Sequence, residues 1–280
     1  MKRGHMKTYR FVAALGVAAA TGALLSVVAP LGAQGRGGAP PAVIPPEGPA
    51  KGPIPRLQNG KPDFSGTFDH PRVGDITRPA NGCAGGSEGC VAVTDTSEIS
   101  FTPAGAAEQK KEPKFDYGLW CLPWGYTRST QTPYPHGYMH NNTHLAILWE
   151  QDNFFHMVPI DGKPLPANAD LEPTWMGTSA GRWEGDTLVI ETGGFHPKTW
   201  VDSAEHVFSD QFRTVERLSY IDKDHIRYEL TMTDPKFWTK PIKNTRIFVR
   251  MDTPLLEYSC EENNKEIREG FYLEDNPLKK

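Results

Sequence analysis

Three histidines recur at intervals of four residues in the middle of the chain, at His136, His140 and His144. On a helix this spacing would align three imidazoles on one face, where they could bind a metal ion or a haem. The proline, glycine and asparagine residues that flank them are poor helix formers, so the three side chains need not share a face. We therefore predict no cofactor, with a metal or haem at these histidines as the alternative.

Proton transfer is the second chemistry that the residue types allow. His144 or His156, paired with Glu216, could act as a general base near neutral pH, because imidazole titrates in that range. Arg182 could then stabilise negative charge that develops on a substrate. The structural alternative makes His156 a satisfied core histidine and Glu216 a carboxylate that is bonded to Arg182 or to a tyrosine.

Aromatic side chains are abundant enough to line a binding pocket, since the chain has 7 tryptophans, 9 tyrosines and 13 phenylalanines. Most of them are expected in the core, because large aromatic side chains dominate burial in any domain of this size. The composition nevertheless favours a small apolar or aromatic ligand. The residues expected to contact that ligand are Trp149, Trp183, Trp200, Tyr228 and His196.

The sequence lacks the motifs of several common enzyme classes. It contains no nucleophile elbow, phosphate-binding loop, dinucleotide fingerprint or HExxH motif, which disfavours serine-hydrolase, nucleotide and zincin chemistry. The net charge of −4 is scattered along the chain without a basic stripe, which argues against nucleic acid as a partner.

The elements that must position these groups have the pattern of successive β-hairpins. The clearest hairpin joins segments 212–221 and 225–233, in which apolar and polar residues alternate with the period of two that is typical of strands. If Ile221 pairs with His225, Glu216 points to the apolar face. A carboxylate there must be paired, hydrogen-bonded or protonated.

The same register pairs Arg217 with Glu229 on the outer face of this hairpin, where the two could form an ion pair. Two further hairpins precede it, at 143–160 and 181–192, and one more strand follows at 245–251. Both faces of the hairpin at 143–160 are largely apolar, which predicts that neither face is wet.

Consecutive antiparallel hairpins with apolar interior positions predict a mainly β fold, an antiparallel lipocalin-like barrel whose closure removes exposed strand edges. A two-sheet β-sandwich is the alternative. The Pro-rich segments 123–135 and 159–173 are expected to be long loops over the barrel, and a single short helix is expected at 261–269.

The N-terminus has the order of an export signal, with basic residues, an apolar run and then small residues. We predict a signal peptide over 1–33, a disordered Gly- and Pro-rich linker over 34–56 and a single barrel domain over 57–280. The alternative is an anchor retained in the membrane. With cleavage, the protein would be periplasmic or secreted and would have no membrane span.

Four cysteines in an exported chain predict disulfides, and they allow three pairings. We favour Cys83 with Cys90, because a glycine-rich loop joins them, which leaves Cys121 with Cys260. A zinc site is the alternative, although the spacing lacks the paired C-x2-C form.

Short motifs occur in the same order across most of the chain after the predicted signal. They are NGKPDFSG (59–66), CLP (121–123), IDGKP (160–164), GRWEGDTLV (181–189), VER (215–217) and EYSCEEN (257–263). Together they resemble a large family of uncharacterised exported bacterial proteins, common in soil and marine proteobacteria and acidobacteria. The resemblance implies export and supplies no reaction.

The stretch GRWEGDTLV is also similar to the first-strand signature of lipocalin-like barrels, which hold apolar ligands or haem. The family usually has arginine where His156 and Lys163 stand here, and asparagine at His196. Two hypotheses about function result. The protein is a cofactor-independent lyase, isomerase or hydrolase that uses His/Glu acid–base chemistry, or it is a non-catalytic lipocalin-like protein that binds a small molecule or haem.

Overall fold

The computed structural model describes residues 52–94, 98–111, 116–262 and 264. The predicted signal peptide, most of the predicted linker and most of the predicted helix at 261–269 lie outside the described residues. The last linker residue, Arg56, already belongs to the domain, since it bridges to Pro62 and forms an ion pair of 2.8 Å with Asp186. Among the helices of the described part, none has the length and apolar character needed to cross a bilayer.

Within the described residues, eleven strands form one antiparallel sheet. They are β1 (Gly66–Asp69), β2 (Ala80–Asn81), β3 (Val91–Thr94), β4 (His136–His140), β5 (His144–Trp149), β6 (Phe155–Pro159), β7 (Thr178–Glu184), β8 (Thr187–Gly193), β9 (Arg213–Asp222), β10 (His225–Thr233) and β11 (Ile242–Met251). Nine of them are neighbours in the order β6-β5-β4-β1-β11-β10-β9-β8-β7, while β3 pairs with β11 and β2 with β3.

The helices in the part of the chain that the structure describes are short. They are α1 (Pro103–Gln109), α2 (Tyr126–Ser129) and single 3-10 turns at Tyr117–Trp120, Gln151–Asn153 and Asn168–Asp170. Thr102 caps α1 by accepting a hydrogen bond from the Gly105 backbone N–H, and Pro103 occupies the first helical position.

The nine strands curl into a nearly closed barrel, because β6 and β7, the two ends of the sheet, approach each other. The Gly162 N–H donates to the Gly181 carbonyl at 3.2 Å. A Cβ at Gly181 would stand 3.0 Å from the Pro159 carbonyl oxygen, so the close approach favours glycine there. The mainly β, barrel-like prediction is confirmed, and the strands form one sheet rather than the two of a sandwich.

Burial alternates along the strands and fills the barrel with side chains. In β10, Ile226, Tyr228, Leu230 and Met232 are at most 2% exposed, while the residues between them reach solvent in part. Each fully buried side chain of this size contributes roughly 1.5–3 kcal/mol through apolar burial. The interior of the barrel is therefore a packed core into which a few polar groups are built.

The predicted registers are confirmed with one correction. Ile147 faces His156, Trp183 faces Leu188 and Glu216 faces Leu230, as the alternation predicted. The pairing of Ile221 with His225 was wrong, because Asp222 pairs with His225 and a bulge beside them absorbs Ile221. The Asp222 carboxylate holds this turn by accepting bonds from the Asp224 and His225 backbone N–H groups.

Two expectations about outer faces are corrected. Arg217 lies opposite Glu229 in the ladder, but its ion pair is with Glu184, at 2.8 Å. The hairpin of β5 and β6 was predicted to have no solvent-exposed face. One of its faces is exposed, since Phe155 is 63% and Met157 46% exposed. Apolar residues on both faces of a strand therefore did not mean burial on both faces here.

Both predicted disulfides are present. Cys83 is bonded to Cys90, and Cys121 is bonded to Cys260 across 139 residues of sequence. The first closes the glycine-rich loop beside β3. The second fixes the chain after β11 to the segment that leads into α2. No cysteine of the described residues is free.

Candidate active site in the barrel

Glu216 is a wholly buried carboxylate on the inner face of β9, where it is 1% exposed. Its Oε2 accepts a hydrogen bond of 2.6 Å from the Tyr126 hydroxyl, and its Oε1 accepts one of 2.5 Å from the Tyr228 hydroxyl. Burial raises the pKa of Glu216 to about 7, although both tyrosine bonds and the charge of Arg246 favour the ionised form. This carboxyl group can therefore exchange a proton near neutral pH.

Tyr126 reaches Glu216 because α2 lies inside the segment that was predicted to be an exterior loop, 123–135. Gly125 starts the helix at a φ of +85°, and a Cβ there would come within 2.7 Å of Thr199. Glycine is therefore required at this position. From α2 the Tyr126 ring makes edge contacts with Trp149 and His156, at centroid distances of 5.6 and 5.1 Å. The prediction of a loop over the barrel was wrong for this segment.

A small cavity lies beside the Glu216 carboxylate. Its lining consists of Tyr126, Thr130, His136, Tyr138, Ile147, Ile190, Glu216, Leu218, Tyr228 and Phe248. The cavity offers about 10 Å³ to the centre of a water molecule, which is room for about one water. A larger molecule enters only if a lining side chain moves.

His156 is close to this group but is not bonded to Glu216. Its Nε2 lies 2.7 Å from Ser179 Oγ, which in turn lies 2.6 Å from Thr192 Oγ1. Burial lowers the pKa of His156 to about 4, so the ring is neutral at pH 7. His156 therefore packs against Tyr126 and helps to orient it, rather than sharing a proton with Glu216.

Arg246 is a cationic group in the barrel that the sequence analysis did not single out. It is 0% exposed, and its Nη1 donates to the Thr130 carbonyl at 2.8 Å. Its guanidinium lies over the Tyr228 ring, with 5.5 Å to the centroid. Arg246 occupies an inward position of the alternation along β11, between Asn244 and Phe248, which is the sequence signal that could have revealed it.

His136 and His70 lie on the same side of the barrel, with ring centroids 5.2 Å apart. Burial, together with the neighbouring His70 ring and the charge of Arg246, holds the pKa of His136 well below its usual value. His70 faces two carbonyl oxygens, with Nδ1 2.9 Å from Pro71 O and Nε2 2.6 Å from Tyr134 O. His136 was predicted as a metal ligand only, whereas here it lines the Glu216 cavity.

The three regularly spaced histidines do not converge. The His136 side chain is buried, His140 accepts from the Phe64 N–H, and His144 is exposed beside the Thr143 hydroxyl. Groups of His, Cys, Asp and Glu within metal-binding distance do occur among the described residues, and none of them contains these histidines. His144 also lies too far out to act as a base inside the barrel.

Arg182 is not placed at Glu216. It lies on the other face of β7, where it pairs with Glu191 at 2.5 Å and with Glu184 at 3.2 Å. The alternation decides this outcome, since Trp183 next to it takes the opposite face and stacks on Phe64 at 6.2 Å. Stabilisation of a substrate's negative charge by Arg182 therefore has no support from its position.

The aromatic candidates divide into two groups. Tyr228 bonds Glu216, and Trp149 packs against Tyr126, so both belong to the interior group around the carboxylate. Trp200 packs against Tyr117 at 5.0 Å, and His196 stacks on Trp175 at 4.4 Å. Neither of these two residues, nor Trp183, lines the Glu216 cavity.

The tyrosine bonds make a first prediction. In Tyr228→Phe the carboxylate loses a donor that favours its ionised form, so the pKa of Glu216 should rise from about 7 to about 8 or higher, because a hydrogen bond to a charged group is worth roughly 1.5–3 kcal/mol. Carboxyl carbon NMR measures this value. Tyr220→Phe is the matched control, since the Tyr220 hydroxyl bonds Asp63 O instead. An equal rise in the control would contradict the assignment.

The fold and this interior group define a small antiparallel barrel with a buried, protonatable carboxyl group at a cavity. No family model matches the chain, and no curated protein matches it.

Proposed function

We propose that the protein is an exported enzyme that acts on a small apolar or aromatic molecule inside the barrel, with Glu216 as the general acid and base. The observation that carries this proposal is the wholly buried Glu216 carboxyl group with a pKa of about 7, held by two tyrosine hydroxyls beside a cavity. General acid–base catalysis works best when the pKa of the catalytic group is close to the working pH.

The reaction class follows from what these groups can move. The Glu216 carboxylate takes a proton from a substrate carbon next to a carbonyl group, and the electron pair of that C–H bond passes to the carbonyl oxygen. The electron pair then returns from the oxygen and re-forms the carbonyl group. In isomerisation the protonated Glu216 gives its proton to another carbon of the conjugated system, whereas in elimination a C=C bond forms, the bond to the leaving group breaks and Glu216 protonates that group. Tyr228 stabilises the carboxylate throughout, and Tyr126 does so until the substrate binds.

Access to the cavity requires a movement, because its 10 Å³ admit about one water. The lining residue with the shortest supporting element is Tyr126, on the four-residue helix α2 that follows Gly125. In the proposed mechanism Tyr126 swings away as the substrate binds, and its bond to Glu216 is replaced by contacts with the substrate. Trp149 and His156, which pack against Tyr126, then border the enlarged pocket.

The proposed periplasmic or secreted location draws support from two observations. The N-terminal sequence has the order of an export signal. The two disulfides persist in an oxidising compartment, and disulfides are rare in cytosolic proteins.

Proton exchange tests the proposal without knowledge of the natural substrate. The probe is acetophenone, a small aromatic ketone, incubated with the protein in D₂O while NMR follows the exchange of its α-protons. We expect catalysed exchange that falls about 100-fold in Glu216→Gln, as is typical when a general base is removed. His144→Gln is the control, because His144 is exposed.

Equal exchange by the parent protein and Glu216→Gln would refute the catalytic role. If acetophenone binds equally to both proteins and neither exchanges its protons, the protein is a binding module with a structural carboxyl group. Circular dichroism of each variant shows whether the barrel is intact.

A further inference from the structure

The Arg246 guanidinium is a buried charge with unused hydrogen-bonding capacity. Nη1 donates to Thr130 O, but Nε and Nη2 are buried and have no partner among the described residues. None of the ion pairs among the described residues involves Arg246, although the charge of Glu216 acts against the lowering of its guanidinium pKa by burial. Buried charges in proteins are ordinarily paired and hydrogen-bonded, since an unpaired one costs several kcal/mol. These two nitrogens carry three N–H groups, which call for an acceptor that a ligand can supply.

A second unpartnered nitrogen lies in the same part of the barrel. Nε2 of His136 is buried without a partner in the described residues, and the His136 ring lines the Glu216 cavity. Thr130, whose carbonyl binds Arg246, and Tyr228, whose ring lies under the guanidinium, line that cavity as well. His136 thus lines the cavity from the β4 side, while Arg246, on β11, does not line it but contacts two residues that do.

The charge balance points to an anion. When Glu216 is ionised, its charge acts on Arg246 and opposes the lowering of the guanidinium pKa by burial. When Glu216 is protonated, Arg246 is the charged group that remains in this cluster, because burial lowers the pKa values of His136 and His70. In that form a neutral ligand would leave the charge of Arg246 uncompensated. A carboxylate or phenolate oxygen would both neutralise it and accept from its free N–H groups.

We propose that Arg246 and His136 bind an anionic oxygen of the substrate, so that the substrate class is a small organic acid, an aromatic or apolar body with a carboxylate or phenolate group. Arg246 binds the anion through Nε and Nη2, and His136 donates from Nε2. The inference deepens the proposed function, on which it rests for the identity of the cavity as the substrate site. It assigns to Arg246 the role that the sequence analysis gave to Arg182.

Calorimetric titration with matched pairs of probes tests this inference. Each pair consists of an anion and its neutral amide of almost equal shape, acetate with acetamide and benzoate with benzamide. We expect the parent protein to bind at least one anion about tenfold more tightly than its amide, a factor that one charge-assisted hydrogen bond supplies. Arg246→Gln should lose the preference for the anion. Arg246→Lys should retain part of it, because lysine keeps the positive charge but lacks the planar guanidinium that can donate two parallel hydrogen bonds.

Arg227→Gln is the control, since Arg227 occupies an outward position on β10, the neighbouring strand. It should bind both members of each pair as the parent protein does. The inference is overturned if the parent protein binds neither anion better than its amide. It is equally overturned if Arg246→Gln keeps the full preference while circular dichroism shows an intact barrel.

Glu216→Gln separates this inference from the proposed function. Loss of proton exchange with an unchanged preference for the anion supports both. If Glu216→Gln leaves exchange unchanged while the anion preference still depends on Arg246, the catalytic proposal fails and the anion site stands.

Discussion

From about pH 4 to about pH 8, the free energy of unfolding of the parent protein should fall by about 3 kcal/mol relative to that of Glu216→Gln. The reason is the burial of Glu216, which is 1% exposed and whose pKa is raised from 4.5 to about 7. Glutamine has the same shape and stays neutral; its amide oxygen can accept from one of the two tyrosine hydroxyls, and its amide NH2 can donate to the other. The variant should therefore lack the pH dependence that the carboxyl group causes.

The sign follows from proton counting. Between pH 4.5 and about 7 the folded protein keeps the Glu216 proton, while the unfolded chain has lost it. The unfolded state thus binds fewer protons, and stability falls as the pH rises through this window. Above about pH 7 both states are ionised at this group, and its contribution becomes constant.

The comparison with Glu216→Gln is needed because the titration of His156 changes the free energy of unfolding in the opposite direction. Its pKa is lowered from 6.5 to about 4, so its contribution to stability is present above pH 6.5 and is lost as the pH falls towards 4. In the parent protein alone the two slopes partly cancel. Subtracting the unfolding curves, measured in urea at each pH, removes the histidine contribution, which is common to both proteins.

Glu229→Gln is the control, because Glu229 lies on the outer face of the same hairpin. Its profile should run parallel to that of the parent protein. If the parent protein and Glu216→Gln also gave parallel profiles, the Glu216 carboxyl group would titrate normally, and the proposal of proton transfer near neutral pH would lose its basis.

The inward direction of Glu216 could be predicted because strand alternation has a period of exactly two residues. Once Ile226, Tyr228, Leu230 and Met232 are assigned to the core, the partner strand has little freedom, and Glu216 must join them. The wrong pairing at the turn did not change the predicted inward direction of Glu216. The bulge at Asp222 inserts a single residue at the turn end of the hairpin, so the register beyond Ile226 is unchanged.

The partners of Glu216 were harder to predict, because they come from distant parts of the chain. Tyr126 is 90 residues away in sequence, on a helix of four residues within a Pro-rich segment that carries no hydrophobic periodicity. Helices this short are formed by tertiary contacts rather than by propensity. Arg182 failed as a candidate for a simpler reason, since its neighbour Trp183 takes the inner face of β7 and alternation sends Arg182 outwards.

Arg246 is a charged residue at a strand position that normally holds an apolar one. The alternation of β11 puts Arg246 among inward residues, where a charge is unfavourable, and the sequence gives no partner for it. Departures of this kind are expected where function outweighs stability. A buried carboxyl group that resists ionisation and a buried guanidinium without a carboxylate partner lie in one cluster, which links the proposed acid–base chemistry to the proposed anion site.

Removal of the disulfide between Cys121 and Cys260 should have the largest effect on stability. In the chain-entropy model, a link that spans 139 residues contributes about 5 kcal/mol, whereas one that spans 7 residues contributes about 2.5 kcal/mol. The double variant Cys121→Ser with Cys260→Ser should therefore lose about twice as much unfolding free energy as Cys83→Ser with Cys90→Ser. Urea unfolding at one pH compares the two.

The long-range link also bears on the site. Cys121 lies just before α2, which carries Tyr126 to Glu216, and Cys260 ends a segment whose Leu256 N–H binds the Glu150 carboxylate. Without the link, α2 is released from the C-terminal segment, and Tyr126 should leave Glu216 more often. The pKa of Glu216 should then rise above about 7, because a donor to the ionised form is lost. In the Cys83 and Cys90 variant that pKa should stay where it is, so a rise in both variants would trace the change to general loosening of the barrel rather than to α2.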